Sequence, residues 1–177
     1  MAGLRPRLDR AAAPIHDASP GALNSPMPFH DRSTLDKDQI ELGGDFAPKF
    51  DEHGLIPCVA QHADTGQVLM VAFMNAQSLA LTLETQQVHY WSRSRGKLWK
   101  KGESSGMVQH VRQMLVDCDQ DCLIARVVVG APAQHPQPPQ AACHTGHRSC
   151  FYREVRPDGS LEAVEEARAF DPEAVYG

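Results

Sequence analysis

The chain has 177 residues and a net charge of −5, and 42% of its residues are hydrophobic while 22% are charged. These values are typical of a globular protein of one domain and exclude an intrinsically disordered chain. No apolar run approaches the roughly 20 residues that cross a bilayer, which excludes a transmembrane protein. The first residues lack the apolar core of a secretory signal peptide, so we expect a cytoplasmic protein without membrane association.

Two further features of the composition bear on function. The acidic net charge argues against a general affinity for nucleic acid. The segment from His89 to Arg112, however, contains six basic residues and only one acidic residue. A local basic stretch on an acidic protein favours a small anionic ligand. The five cysteines are an odd number, which disfavours a disulfide framework and favours metal-binding or catalytic thiols.

The sequence predicts one folded domain between two tails. Residues 1–35 carry five of the 13 prolines and no sustained hydrophobic periodicity, so we interpret them as a flexible N-terminal extension. Residues 36–165 form the predicted domain, and residues 166–177 form a C-terminal tail. Within the domain, residues 131–140 contain four prolines and are interpreted as an exposed loop insertion.

In chain order, the domain begins with a predicted β-hairpin and a helix. The apolar segments 55–61 and 68–74 flank the turn residues 63–66. Asn75 is the predicted N-cap of a helix that ends near Gln86, because leucines and alanines recur there at helical spacing.

Strands are predicted to follow through the second half of the chain. They cover residues 88–92, which lead into a basic loop, residues 108–121 as one long strand, and residues 123–129. Segments 151–155 and 161–164 flank a Pro-Asp-Gly turn and predict a last hairpin. The predicted fold class is therefore α+β: a small, mainly antiparallel β domain with one or two helices.

A run of alternating acidic residues, Asp117, Asp119 and Asp121, is the most informative short segment. An EF-hand loop is excluded because Cys122 and Val128 stand where that motif requires Gly and Glu. In an extended strand the three carboxylates share one face, where they repel one another unless a hard cation such as Mg²⁺ lies among them. The alternative is a solvated edge strand with alternating acids.

Cysteines are the softer candidate ligands. Cys118 belongs to the opposite face of that predicted strand, and Cys143 and Cys150 flank a polar, turn-prone stretch. With one further thiolate, the latter two form a three-cysteine zinc site with an open fourth position, as in catalytic sites. The alternative is that they are packed free cysteines. Cys122 lies too far along an extended strand to join the same ion, and Cys58 fits a core position.

The basic segment is a candidate binding surface for a phosphorylated ligand. Its arginines, lysines, serines and glycines are typical of a phosphate cradle, and Trp91 and Trp99 either stack on a base or pack in the core. A platform for single-stranded nucleic acid usually needs a more extended positive surface. The candidate substrate-binding residues are Trp91, Arg93, Arg95, Lys100, Lys101, Glu103, Ser104 and Ser105.

Taken together and in this order, three motifs resemble one enzyme family. The runs VHYWSRSRGKLWKKGESSG, VDCDQDC and ACHTGHRSCFYR are similar to those of phosphoribosyl-AMP cyclohydrolases of histidine biosynthesis, over about residues 55–155. The resemblance implies hydrolysis of the N1–C6 bond in the adenine ring of 1-(5-phosphoribosyl)-AMP, with residues 36–165 as the cyclohydrolase domain. Too few residues follow for the pyrophosphohydrolase domain that some members carry, so we expect the monofunctional form.

The resemblance also implies the cofactors, the oligomer and the site residues. The expected ligands are, for zinc, Cys118, Cys143 and Cys150 and, for magnesium, Asp117, Asp119 and Asp121. The implied oligomer is a homodimer whose active sites, with their zinc ions, are shared between the subunits. His144, next to a zinc cysteine, is the expected catalytic residue for proton transfer; its alternative role is to orient a ligand or a water. The family lends Cys122 no role.

Two other functions share some of these features. A nucleobase deaminase also attacks adenine C6 with zinc-activated water, but its H-x-E and P-C-x-x-C motifs are absent from the sequence. A zinc-stabilised nucleic-acid-binding module without catalysis is the alternative from a different class. The acidic net charge and the presence of only three convincing zinc ligands argue against that module.

Overall fold

The computed structural model describes residues 27–130, 141–164 and 167–176. Its strands are β1 (Leu55–His62), β2 (Val68–Asn75), β3 (His89–Ser92), β4 (Lys97–Lys100), β5 (Val108–Val116), β6 (Leu123–Gly130), β7 (Arg153–Val155) and β8 (Leu161–Ala163). Its helices are a 3₁₀ turn at Arg32–Thr34, α1 (Lys37–Leu42), α2 (Ala76–Thr85) and α3 (Pro172–Tyr176). The predicted insertion at 131–140 and most of the predicted N-terminal extension lie outside the described residues.

Six strands form one sheet in the order β4-β3-β2-β1-β6-β5, and β7 pairs with β8 in a separate hairpin. Neighbouring strands of the sheet are antiparallel except β1 and β6, which are parallel, with Cys58 opposite Leu123. The sheet is curled: the Val88 amide, just before β3, donates to the Gln109 carbonyl oxygen in β5, although β3 and β5 lie toward opposite edges of the sheet. These features confirm the predicted small α+β domain with mainly antiparallel strands. Among the described helices, none has the length and apolar character needed to span a membrane.

The predicted first hairpin and the helix after it are confirmed. β1 pairs antiparallel with β2, and α2 begins directly after Asn75. The Asn75 side chain accepts a hydrogen bond from the Ser78 amide, and the Ser78 hydroxyl accepts one from the Asn75 amide. This capping box satisfies donors that a helix start otherwise leaves unpaired. Gln86 ends the helix in the left-handed region, at φ 55°.

Core side chains come from the central strands and from α2. Residues 123, 125, 127 and 129 of β6 are buried and alternate with partly exposed neighbours, the period of a strand with one face inward. Leu79 of α2 joins the same cluster. Cys58 is fully buried, and burial raises the pKa of its thiol to about 12. Cys58 belongs to the hydrophobic core cluster, as predicted.

The acidic segment is a turn and not a strand. β5 ends at Val116, and the Gln120 amide donates to the Asp117 carbonyl oxygen within the turn. The Asp117 carboxylate accepts hydrogen bonds from the amides of Asp121 and Cys122, at 2.9 and 3.1 Å. Aspartate side chains that bond the local backbone in this way favour turns over strand pairing. The prediction of one strand over residues 108–121 is therefore wrong beyond Val116.

Three other segments complete the comparison with the predicted elements. The basic segment is not one loop, because Lys97–Lys100 form β4, which pairs with β3. The pairing of β7 with β8 confirms the last predicted hairpin. Phe29, within the predicted extension, lies with its ring centroid 6.1 Å from that of Phe46 and 6.0 Å from that of Phe50. The described end of that extension therefore contacts the domain.

Gln120 fixes the acidic turn to the segment that follows α1. Its side-chain oxygen accepts a hydrogen bond from the buried Ala47 amide at 2.7 Å. Its side-chain nitrogen donates to the carbonyl oxygens of Ile40 and Asp45, at 2.9 and 3.1 Å. Gln120 is 5% exposed and adopts φ 59°, a conformation that costs energy for a residue other than glycine. These three hydrogen bonds compensate for that cost.

We expect Gln120→Ala to lower the free energy of unfolding by about 1–3 kcal/mol, because it leaves the buried Ala47 amide without an acceptor. Urea unfolding of the purified protein measures this change. The matched control is Gln61→Ala, which removes one exposed side-chain hydrogen bond, to Gly66, and should change the stability by less than about 0.5 kcal/mol. Equal effects of the two variants would contradict the anchoring role of Gln120.

Candidate active site

The loop over residues 141–150 is held against the start of β2. The Cys150 amide donates to the Leu69 carbonyl oxygen at 2.7 Å, and the Ser149 hydroxyl donates to the Val68 carbonyl oxygen at 2.7 Å. Within the loop, the Ala142 amide donates to the Arg148 carbonyl oxygen at 2.9 Å. These bonds close the loop and bring its two ends together.

The two ends of this loop carry a pair of adjacent thiols. Cys143 is 5% exposed, and its Sγ lies 2.9 Å from Thr145 Oγ1. Burial, and then the charge and the hydrogen bond of the neighbouring Cys143, together raise the pKa of the Cys150 thiol to about 11. A bound cation offsets the charge of a thiolate and so favours its formation. Two neighbouring sulfurs of this kind form half of a tetrahedral zinc site.

A cavity of about 550 Å³ opens beside the thiol pair. From the loop, its lining includes Cys150 and His144. From the turn before β4, from β4 itself and from the turn after it, the lining includes Arg95, Lys100, Lys101, Glu103, Ser104 and Ser105. The structure therefore brings most of the predicted substrate-binding residues to the predicted catalytic histidine and one predicted zinc ligand, although the two groups are far apart in sequence.

Two of the predicted substrate contacts lie outside this lining, and Trp99, predicted either to stack on a base or to pack in the core, lies within it. Trp91 pairs with Phe73 across the strands, and the Arg93 guanidinium lies 4.0 Å from the centre of the Phe73 ring. Their roles as substrate contacts stay predictions. Trp99 lines the cavity, and its ring centroid lies 5.2 Å from that of the buried Tyr90. It is thus partly packed in the core and partly available to a ligand.

The three aspartates form a close cluster in the turn between β5 and β6. One carboxylate oxygen from each of Asp117, Asp119 and Asp121 lies within 4.8 Å of the others. Their proximity arises from the turn and not from the strand alternation that the sequence suggested. Three hard oxygen donors at this spacing fit a divalent cation such as Mg²⁺.

A lysine bridges two members of this cluster. Lys49 Nζ lies 3.1 Å from a carboxylate oxygen of Asp119 and 3.1 Å from one of Asp121. The hydrogen bond from Lys49 lowers the pKa of Asp119, and the same contacts raise the pKa of Lys49. Sequence reasoning missed Lys49, because it lies 70 residues before Asp119 and in no recognisable motif.

Cys118 does not join the other two predicted zinc ligands within one chain. It is exposed on the acidic turn and lines a separate cavity of about 330 Å³ together with Asp117. The turn precedes Leu123, which pairs with the middle of β1, whereas Cys150 bonds to Leu69 at the start of β2. In the part of the chain that the structure describes, the only triad of candidate ligand atoms within 4.8 Å of one another is that of the aspartates.

The cavity combines a thiol, a histidine and several cations, a set of groups that can bind a small anionic ligand and transfer protons to or from it. Residues 70–152 match the model of the phosphoribosyl-AMP cyclohydrolase family. Over 145 residues the chain is 52% identical to the phosphoribosyl-AMP cyclohydrolase of Rhizobium leguminosarum bv. trifolii, covering 80% of this chain and 92% of that protein. The chain therefore belongs to the phosphoribosyl-AMP cyclohydrolase family, a family of hydrolases of histidine biosynthesis.

Two further relatives extend this similarity beyond one genus. The phosphoribosyl-AMP cyclohydrolase of Agrobacterium fabrum is 49% identical over 144 residues, which are 80% of this chain and 91% of that protein. The one of Rhodopseudomonas palustris is 49% identical over 148 residues, which are 81% of this chain and 95% of that protein. The family expected from the three sequence motifs is confirmed, and membership in a family of enzymes weighs against the non-catalytic nucleic-acid-binding alternative.

We expect Lys49→Met to increase the affinity of the aspartate cluster for Mg²⁺ by about three- to tenfold, because a divalent ion then no longer competes with the ammonium group. Isothermal titration calorimetry of the metal-free protein measures this affinity. Asp119→Asn, which removes a ligand charge, should weaken it.

The control for this experiment is Lys37→Met, which removes an ammonium group paired with Glu41 in α1 and should leave Mg²⁺ binding unchanged. Weaker binding by Lys49→Met would contradict the expectation, since it would mean that the lysine organises the carboxylates for the ion.

Proposed function

We propose that this protein hydrolyses the N1–C6 bond of the adenine ring in 1-(5-phosphoribosyl)-AMP. The observation that carries the proposal is the cavity in which Cys150 and His144 face the cationic segment from Arg95 to Lys101. One ligand that carries both an electron-poor ring and phosphate groups matches both sides of this cavity. The names of the similar proteins support the same substrate.

The substrate determines what the site has to supply. Substitution at N1 leaves the ring electron-poor, so C6 is open to attack by a good nucleophile. Water adds to C6, the N1–C6 bond breaks with its electron pair going to N1, and C6 becomes the carbon of a carboxamide. Zinc, when bound, lowers the pKa of a coordinated water from about 15.7 toward roughly 7 and so supplies the nucleophile at neutral pH. A proton must then reach N1.

His144 is the proposed group for this proton transfer. It is exposed and lines the cavity together with Cys150. It is also the next residue after Cys143 in the chain, which supports a place for its imidazole beside an ion that the thiol pair holds. Proton transfer by a positioned histidine contributes about 10²–10⁴-fold to a rate. In the competing role, His144 orients a ligand or a water and moves no proton.

Cations of this chain are proposed to hold the two phosphate groups. Arg95 lines the cavity, and its guanidinium donates to the Ser92 hydroxyl at 3.1 Å, which holds it at the turn before β4. Lys100 and the hydroxyls of Ser104 and Ser105 add a second cation and neutral donors. Magnesium on the aspartate turn, when bound, provides a hard cation for phosphate oxygens.

The zinc site is proposed to be shared by two copies of the chain in a homodimer. Cys143 and Cys150 supply two sulfurs, and a catalytic zinc site has three protein ligands. Within one chain Cys118 lies at a separate cavity and is exposed, which leaves it available to a second copy. Because Cys118 and the aspartates share one turn, a subunit that contributes Cys118 also brings the aspartate cluster toward its partner's cavity.

We expect Cys143→Ser and Cys150→Ser to lose bound zinc and activity together, because a hydroxyl is a much poorer zinc ligand than a thiolate. His144→Ala should retain zinc and slow turnover by about 10²–10⁴-fold. Zinc content by atomic absorption and an ultraviolet assay with phosphoribosyl-AMP, with and without a zinc chelator, measure both quantities.

Cys58→Ser is the control for these variants: its thiol is buried in the core, so the variant should retain zinc. Full zinc content with normal turnover in either loop-cysteine variant would rule out the assigned ligands. Loss of zinc from His144→Ala would make His144 a ligand instead.

Mixed dimers test whether the zinc site is shared. If Cys118 of one subunit meets Cys143 and Cys150 of the other, Cys118→Ala and Cys143→Ala homodimers are both inactive. In a mixed dimer the two lesions fall in one site, and the second site keeps all three cysteines. Random co-refolding makes half of the dimers mixed, so activity should recover to roughly a quarter of the wild-type value.

The control is co-refolding of Cys143→Ala with Cys150→Ala, two lesions that lie on the same side of the shared site. Every site of every dimer then carries a lesion, and no activity should return. An absence of recovery for the first pair, with mixed dimers demonstrated by differential tagging, would reject the shared site and leave the hydrolase assignment standing.

A further inference from the structure

Lys101 is a buried cation in the cavity wall. It is 9% exposed and follows directly after β4. Its amide donates to the Val88 carbonyl oxygen at 3.0 Å. Gly102 comes next at φ 87°, where a Cβ atom would lie 2.3 Å from the Met107 carbonyl carbon. The backbone on both sides is therefore fixed, and with it the direction in which the lysine side chain leaves the chain.

Lys100 and Lys101 face different chemical groups. Both line the cavity that Cys150 lines, but Lys100 is the last residue of β4 and half-buried, whereas Lys101 lies in the turn after β4 and is buried. Lys100 lies opposite His89 in the pairing of β3 with β4. Burial lowers the pKa of His89, and the charge of Lys100 adds to this effect. Burial likewise lowers the pKa of Lys101, but the groups whose charges act against that change are Cys150 and Cys143. The two lysines are therefore not equivalent phosphate ligands.

Lys101 shares the cavity lining with the carboxylate of Glu103. Among the residues that the structure describes, no carboxylate forms an ion pair with it. A buried ammonium group without an anion is costly, and a metal site of negative net charge is stabilised by a nearby cation. Zinc held by three thiolates has a net charge of −1, because the ion supplies two positive charges against three negative ones. Each group provides what the other lacks.

We infer that Lys101 is a positioning residue that compensates the negative charge of the zinc–cysteine site and thereby strengthens zinc binding. The inference rests on the proposed function, in that it takes Cys143 and Cys150 as zinc ligands, and it separates Lys101 from the phosphate-binding cations of the same segment. Zinc affinity, and not substrate binding, is the property that should respond first to its removal.

Zinc affinity of the full chain, measured by competition with a chromophoric chelator at neutral pH, tests this role. Lys101→Met, which keeps the length of the side chain and removes its charge, should weaken zinc binding by about 10- to 100-fold. Lys101→Arg should restore it to within a few-fold of the wild type, since the charge returns. Lys100→Met is the matched control, and its zinc affinity should equal that of the wild type whatever happens to its turnover.

The outcomes separate this inference from the proposed function. Wild-type zinc affinity in Lys101→Met, with zinc lost from Cys143→Ser, overturns the role of Lys101 and leaves the zinc site standing. A raised KM for phosphoribosyl-AMP at unchanged zinc affinity likewise overturns it, because Lys101 is then a phosphate ligand. Retention of zinc by Cys143→Ser overturns both proposals. If Lys101→Met lacks a thermal unfolding transition, Lys101→Gln replaces it, and the same results decide.

Discussion

Crowding of like charge is the constraint on which both ligand clusters of this protein depend. The acidic turn gathers three carboxylates within 4.8 Å, and in the loop from Cys143 to Cys150 the neighbouring Cys143 disfavours the ionisation of the Cys150 thiol. Neither arrangement is favourable without a cation, because like charges at such distances repel and desolvation adds to the cost. The fold supplies one lysine to each cluster, Lys49 to the carboxylates and Lys101 to the thiols.

The two lysines differ in exposure, and this difference determines what each can do. The side chain of Lys49 is 48% exposed, so water screens its interaction with the aspartates and a divalent ion can displace it. Lys101 is 9% exposed, and its charge acts through a medium of lower polarity. The exposed Lys49 is therefore an exchangeable partner of its cluster, whereas the buried Lys101 is a permanent part of the surroundings of the proposed zinc site.

Local patterns in the sequence predicted the hairpins and the main helix, but they could not predict contacts between residues that are far apart in the chain. The first hairpin and the helix capped by Asn75 were predicted because their signals lie within a few residues of each other. The aspartate cluster was predicted from a continuation of β5 beyond Val116 that does not exist. In its place, the Asp117 side chain accepts hydrogen bonds from the amides of the turn, where the same carboxylates come together. No periodicity reveals that Gln120 bonds to residues 40–47, or that Lys49 lies on the aspartates, because these partners are about 70 or more residues apart.

The segment before β1 links the folding of the domain to the chemistry of the acidic turn. Gln120 anchors the turn to Ile40, Asp45 and Ala47, and the Lys49 amide donates to the Gln120 carbonyl oxygen at 2.7 Å. The same stretch therefore sets the backbone of the turn and supplies its neutralising charge. The matched part of the family model begins only at residue 70, so both contributions come from outside it. The backbone geometry and the charge of the candidate magnesium site are thus set partly by residues that lie outside the matched part of the family model.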